Sequence, residues 1–216
     1  MSARVTDISR VVGHAWPARS GVGITEYLNT QFPYERPKIR ARGSKHGLSY
    51  GRRFHTQIHN AVRTNTWRRL PVAARGVYYY FQFLQQIKLI PMKTEMTIAN
   101  TRIGVNTKVD LVCTDKNGVV VMIENKTTRH SFADYMRIYH KKTRVNSDLV
   151  NGLANTEYTR HQLQAAFAVH TINSNVPQLR VQVRGAVIVC CRDRYAIFWT
   201  PISMTMPTIF PSCINV

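Results

Sequence analysis

The sequence predicts an α/β domain, a mixed central sheet flanked by helices, and three observations carry that expectation. Stretches with apolar residues three and four apart alternate with short β-branched runs, so helical and strand periods share one chain. Turn-forming clusters fall between these runs rather than inside them. A length of 216 residues with 44% hydrophobic content suffices for one sizeable core.

Charge narrows the class of partner. Lys and Arg number 30 against 11 Asp and Glu, a net charge of +19, so a polyanion such as nucleic acid is expected through phosphate contacts and counterion release. Charge alone does not separate an enzyme from a packaging protein. No stretch approaches the ~20 apolar residues of a membrane helix, and the N-terminus shows no secretory apolar segment. A soluble, intracellular protein without a membrane partner is the expectation. Cys113, Cys190, Cys191 and Cys213 have no C-x-x-C spacing, which argues against a zinc site or a disulfide framework.

Taken in order, residues 1–49 read as an irregular basic arm and residues 50–216 as the folded domain. Within the arm, ERPKIRARGSK places Arg36, Lys38, Arg40 and Arg42 on one short stretch. It suits a strap along a phosphate backbone, and equally a solvated tail. Tyr50 to Val62 reads as an amphipathic helix with Phe54, Ile58 and Val62 at four-residue spacing, carrying Arg52 and Arg53 as phosphate contacts and His55 and His59 on one face. A second helix follows Pro71, with Val77, Tyr80, Phe81, Leu84 and Ile87 turned inward; its aromatic cluster reads mainly as core.

Lys93 to Ala99 alternates and reads as the first strand, with Glu95 expected to pair as an ordinary edge-strand charge. Lys108 to Thr128 reads as a hairpin: an alternating strand, the turn Asp115-Lys116-Asn117-Gly118, then a β-branched run ending in Glu124-Asn125-Lys126. Beyond it, Arg129, Arg137, Lys141 and Lys142 place positive charge where a strand of nucleic acid would pass. Thr156 to Asn173 reads as a helix, and Gln178 to Cys191 and Tyr195 to Thr200 as closing strands.

The hairpin carries the chemistry. Glu124 and Lys126 are two apart and so share a face, and antiparallel pairing brings Asp110 toward Glu124. Two carboxylates suit a hard divalent cation that keeps room for waters and phosphate oxygens. A neighbouring lysine can position water or offset charge on a phosphorane.

Asp110 followed by Glu124-Asn125-Lys126 resembles the signature of the PD-(D/E)XK nucleases, and VDLVCTDKNGVVVMIENKTT resembles its RecB-type exonuclease subgroup, with Val109 where the family's proline would stand. Gly51-Arg-Arg-Phe-His55 resembles that subgroup's G-x-x-x-H helix, and HQLQAAFA resembles its glutamine-bearing helix without the tyrosine. The resemblance implies a restriction-endonuclease-like fold and Mg²⁺ or Mn²⁺ held by His55, Asp110, Glu124 and the backbone carbonyl of Asn125. It implies Lys126 at the attacking water and Gln164 helping to fix the site, with Gln162 as the alternate. DNA is the implied substrate, cut as an exonuclease or end-processing enzyme on single-stranded or frayed ends. A cap-snatching-type RNA endonuclease shares the layout, and a non-catalytic basic binding protein is the rival from another class.

Overall fold

The structure, a computed structural model, describes residues 21–31, 44–101, 103–128, 157–175, 182–191 and 196–201. Val120 to Asn125 are all buried, the mark of a strand covered on both faces, and this strand lies inside the sheet. In chain order the elements are β1 (Val22–Gly23), α1 (Ile24–Gln31), α2 (Ser44–Arg63), α3 (Gly76–Gln86), β2 (Ile90–Asn100), β3 (Val105–Thr114), β4 (Val120–Thr128), α4 (Glu157–Asn175), β5 (Val183–Cys191) and β6 (Ala196–Pro201). Short 3₁₀ turns at Trp67–Arg69 and Val72–Ala74 join α2 to α3.

The sheet is mixed, as expected, and has six strands. β2, β3 and β4 form an antiparallel series, β5 joins β4 in parallel, and β6 returns antiparallel to β5. The β3–β4 turn matches its sequence: Gly118 sits at φ 80°, and one Asp115 oxygen accepts the backbone N–H groups of Asn117 and Val119, each at 2.8 Å.

One face of the sheet is covered by α2 and α3. Phe54, Ile58, Tyr80, Phe81 and Leu84 pack there on Leu111, Ile123 and Ile188. On the other face Ala168 and Ile172 of α4 pack on Met96, Val109, Val112 and Met122. Burying Val77, Tyr80, Phe81 and Leu84 gives α3 the stripe its periodicity predicts. Among the described residues no helix is long and apolar enough to cross a membrane.

Two boundaries differ from expectation. Part of the supposed arm is folded: Val22 and Gly23 pair in parallel with Val105 and Asn106, and Ile24 and Leu28 are 3% and 1% exposed. The surrounding turn formers mask this short i, i+4 apolar pair. The helix expected to open at Tyr50 instead runs from Ser44, because Gly47 and Gly51 each cost only ~1 kcal/mol inside a helix and do not end it. The expected boundary at residue 50 therefore falls inside α2. The second helix does follow Pro71, beginning at Gly76 after the two 3₁₀ turns.

Candidate metal centre

The site begins where two strands part. β2 occupies one edge of β3 along its whole length. On the other edge β4 pairs from Thr114 to Leu111 and β1 takes Val105 and Asn106. Between them β4 leaves β3 and continues in register with β5 to Thr128. At the point of departure Asp110 Oδ2 accepts the backbone N–H of Asn125 at 2.8 Å, so a side chain replaces the lost ladder bond. Its other oxygen, Oδ1, stands 3.4 Å from His55 Nδ1 on α2.

A kink in the β2–β3 pair aims these groups. Residues two apart on a strand normally share a face, yet Thr94 bonds His59 of α2 at 2.7 Å while Met96 packs with α4. Opposite them, Leu111 lies in the α2–α3 core and Val109 in the α4 core. The change of face falls at Glu95 and Asp110, where Glu95 adopts φ 55°. A left-handed conformation at a non-glycine residue inside a strand is a local strain held by its surroundings. Its effect is to bring the Glu95 carboxylate to His55 and Asp110, so that one donor atom from each of the three lies within 4.8 Å of the others. Glu95 also takes the Lys108 ammonium at 2.6 Å, the pairing expected of it.

Gly51 explains how α2 comes near enough. A Cβ there would stand 3.2 Å from Thr127 Oγ1, so the glycine lets the helix lie against the strand end that carries Lys126. His55, one turn on, is thereby carried over Asp110.

These groups fit a small divalent cation. Donors in adjacent positions around Mg²⁺ or Mn²⁺ at 2.0–2.1 Å are roughly 3 Å apart, and the His55–Asp110 separation of 3.4 Å is close to that. Two carboxylates and one imidazole are a donor set that Mn²⁺ accepts readily, and Mg²⁺ with waters completing its shell.

Glu124 lies beside Asp110 and pairs with Lys126, with which it shares a face. Its carboxylate holds Lys126 Nζ at 2.5 Å with its side chain only 10% exposed. The cluster of three contains Glu95, an ordinary edge charge by strand alternation, and Glu124 stands beside it as half of an ion pair. Burial first, then the Asp110 charge, pushes Glu124 up from the ordinary 4.5 to about 7, against the pull of Lys126. For His55, burial lowers the pKa, but the hydrogen bond and charge of Asp110 outweigh it, and the net direction is upward.

A residue read only as core also reaches the site. Tyr80 is fully buried and donates its hydroxyl hydrogen bond to Asn125 Oδ1 at 2.8 Å. It holds the residue between Glu124 and Lys126 whose N–H fixes Asp110. Four-residue apolar spacing identified Tyr80 as inward-facing; nothing in that period shows what its hydroxyl meets.

Other expected site residues stand elsewhere. Gln164 donates to Thr25 Oγ1 of α1 at 2.6 Å, and its covered Oε1 has no partner among the described residues. Gln162 bonds Tyr158 on its own helix. Among the described residues neither glutamine hydrogen-bonds Asp110, Glu124 or Lys126, because α4 lies over the sheet face away from α2 and α3. His59 is occupied by Thr94. Arg52 and Arg53 are exposed on α2. Arg36, Lys38, Arg40, Arg42, Arg129, Arg137, Lys141 and Lys142 lie outside the described residues.

No protein-family model and no curated protein matches the chain. Among solved structures it is similar to one described as the crystal structure of SSO0001, at 12% identity and a TM-score of 0.36, over 98% of this chain and 82% of that one. Likeness at that level bears on neither fold nor activity.

Two outcomes follow from the geometry. The folded state keeps a proton on Glu124 that the unfolded chain releases above pH 4.5, so the metal-free protein loses stability as pH rises from 4.5 toward about 7. His55 acts in the same sense: its contribution is full below 6.5 and is lost as pH rises through its higher folded value. Urea unfolding in EDTA across this range checks it: Glu124→Gln should flatten the fall, and an equally steep fall contradicts the assignment. Tyr80→Phe should weaken Mn²⁺ binding by about 10- to 100-fold while the chain stays folded. Calorimetry showing unchanged Mn²⁺ affinity would remove Tyr80 from the site.

Proposed function

We propose that the chain is a Mg²⁺- or Mn²⁺-dependent nuclease that hydrolyses phosphodiester bonds of DNA, acting as an exonuclease or end-processing enzyme on single-stranded or frayed ends. The observation that carries this reading is the meeting of His55 and Asp110 with the buried Glu124 and its partner Lys126 at the fork between β3 and β4. The preference for DNA and for ends comes from the sequence resemblance, and the net charge of +19 supports a polyanionic substrate.

His55, Asp110 and Glu95 would hold the cation, joined by Glu124 and the Asn125 carbonyl. When bound, the cation polarises the phosphate and lowers the pKa of a bound water. The chain's own groups do the positioning. Asp110 is held by the Asn125 N–H, which leaves Oδ1 directed to the His55 side. Lys126 Nζ is anchored by a Glu124 carboxylate oxygen at 2.5 Å. From there it suits positioning the attacking water and stabilising the charge that develops on the phosphate oxygens. Attack at phosphorus forms one P–O bond and breaks another, leaving a phosphate end and a free hydroxyl.

The deciding assay uses end-labelled single- and double-stranded DNA and single-stranded RNA with Mg²⁺, Mn²⁺ or EDTA. Cleavage should require the metal, and Lys126→Ala should lower it at least ~100-fold while binding persists. A product ladder that shortens from one end identifies an exonuclease. Salt-sensitive binding with no cleavage of any substrate would overturn the proposal in favour of a basic binding protein, and cleavage of RNA alone would favour the cap-snatching-type alternative.

A further inference from the structure

A second basic feature lies at the other end of β2 and β3. A cleft of about 460 Å³ is lined by Trp67, Arg68, Gln85, Lys88, Ile90 and Lys116, with Leu89 at its base. Three of these are cations and none is a carboxylate. The nearest acid in sequence, Asp115, directs one oxygen to the N–H groups of Asn117 and Val119. Among the described residues no carboxylate pairs with Lys88 or Lys116. Two ammonium groups therefore face one opening with no carboxylate among the described residues paired to them.

The rest of the wall suits a planar ring. The Arg68 guanidinium lies over the Trp67 indole, 4.6 Å from the ring centre. Trp67 is itself 5% exposed and packs against Phe81 with ring centres 5.9 Å apart, so this platform has a rigid base. Ile90, 41% exposed, adds an apolar side. Lys88 leaves α3 in the left-handed region, φ 59°, with its N–H on the Gln85 carbonyl at 3.0 Å, which fixes where its side chain starts. An inorganic anion would use the lysines and leave the platform idle. A nucleotide uses both, since bases stack on guanidinium and aromatic faces and phosphates take ammonium groups. The volume falls in the range of small-ligand sites, ~300–1,000 Å³.

We infer that this cleft holds one nucleotide of a single strand whose other part reaches the metal centre. The inference rests on the nuclease reading for that second contact. Ile90 pairs with Thr114, four residues along β3 from Asp110, which at about 3.3 Å per residue is roughly 13 Å. At about 3.4 Å per nucleotide that distance spans about four stacked nucleotides and fewer when the strand is stretched. The cleft is then an anchor for the strand outside the reacting phosphate, and short substrates cannot engage both places.

The test is fluorescence anisotropy in EDTA with oligothymidylate and oligouridylate of ~12 nucleotides, comparing wild type with Lys88→Gln/Lys116→Gln and Lys88→Arg/Lys116→Arg. The glutamine pair should bind about tenfold more weakly, with a log–log salt slope shallower by about 1.4; the arginine pair should bind as wild type. Glutamine-pair binding equal to wild type, in affinity and slope, overturns the cleft even if the protein cleaves. Loss of binding in the glutamine pair with no Mn²⁺-dependent cleavage in wild type supports the cleft and overturns the nuclease reading. Wild type that binds neither oligonucleotide overturns the cleft.

Discussion

The site depends on one hydrogen bond, from the Asn125 N–H to Asp110 Oδ2 at 2.8 Å. It stands where β4 gives up β3 and stays with β5, a place that would otherwise leave an N–H without a strand partner. The bond closes the fork and turns Asp110 so that its second oxygen meets His55. It also fixes the peptide between Glu124 and Lys126, on which Tyr80 acts from the core side. Strand divergence, the ordered carboxylate and the position of the ion pair are thus one arrangement.

Stability and function pull apart here. Glu124 is buried near Asp110 and ionises reluctantly, and Glu95 is held in a strained backbone conformation. Neither serves the hydrophobic core, which two layers of helices build independently on each face of the sheet. A cation at the cluster would offset the repulsion among these carboxylates, which gives the arrangement a physical reason that folding alone does not supply.

Much of this was legible in sequence because it rests on local chemistry. The Asp115–Gly118 turn sets the register, strand period puts Glu124 and Lys126 on one face, and the apolar spacing of Phe54 and Ile58 carries His55 inward. Strict alternation makes Glu95 an edge charge and cannot foresee the kink that turns it toward His55. The Tyr80 hydroxyl was hidden because periodicity reports burial and not partners. Gln164 rested on a motif lacking its tyrosine, and its hydrogen bond goes to α1. The folded segment Val22–Gln31 was missed because its pairing with β3 is long-range, joining Val22 to Val105.

The most direct measurement is anomalous diffraction at the manganese edge from crystals of the protein grown with Mn²⁺. A manganese peak bounded by His55, Asp110 and Glu95 is expected at the mouth of the β3–β4 fork, lost in Asp110→Asn. Manganese found only elsewhere, or the same peak in the variant, would contradict it.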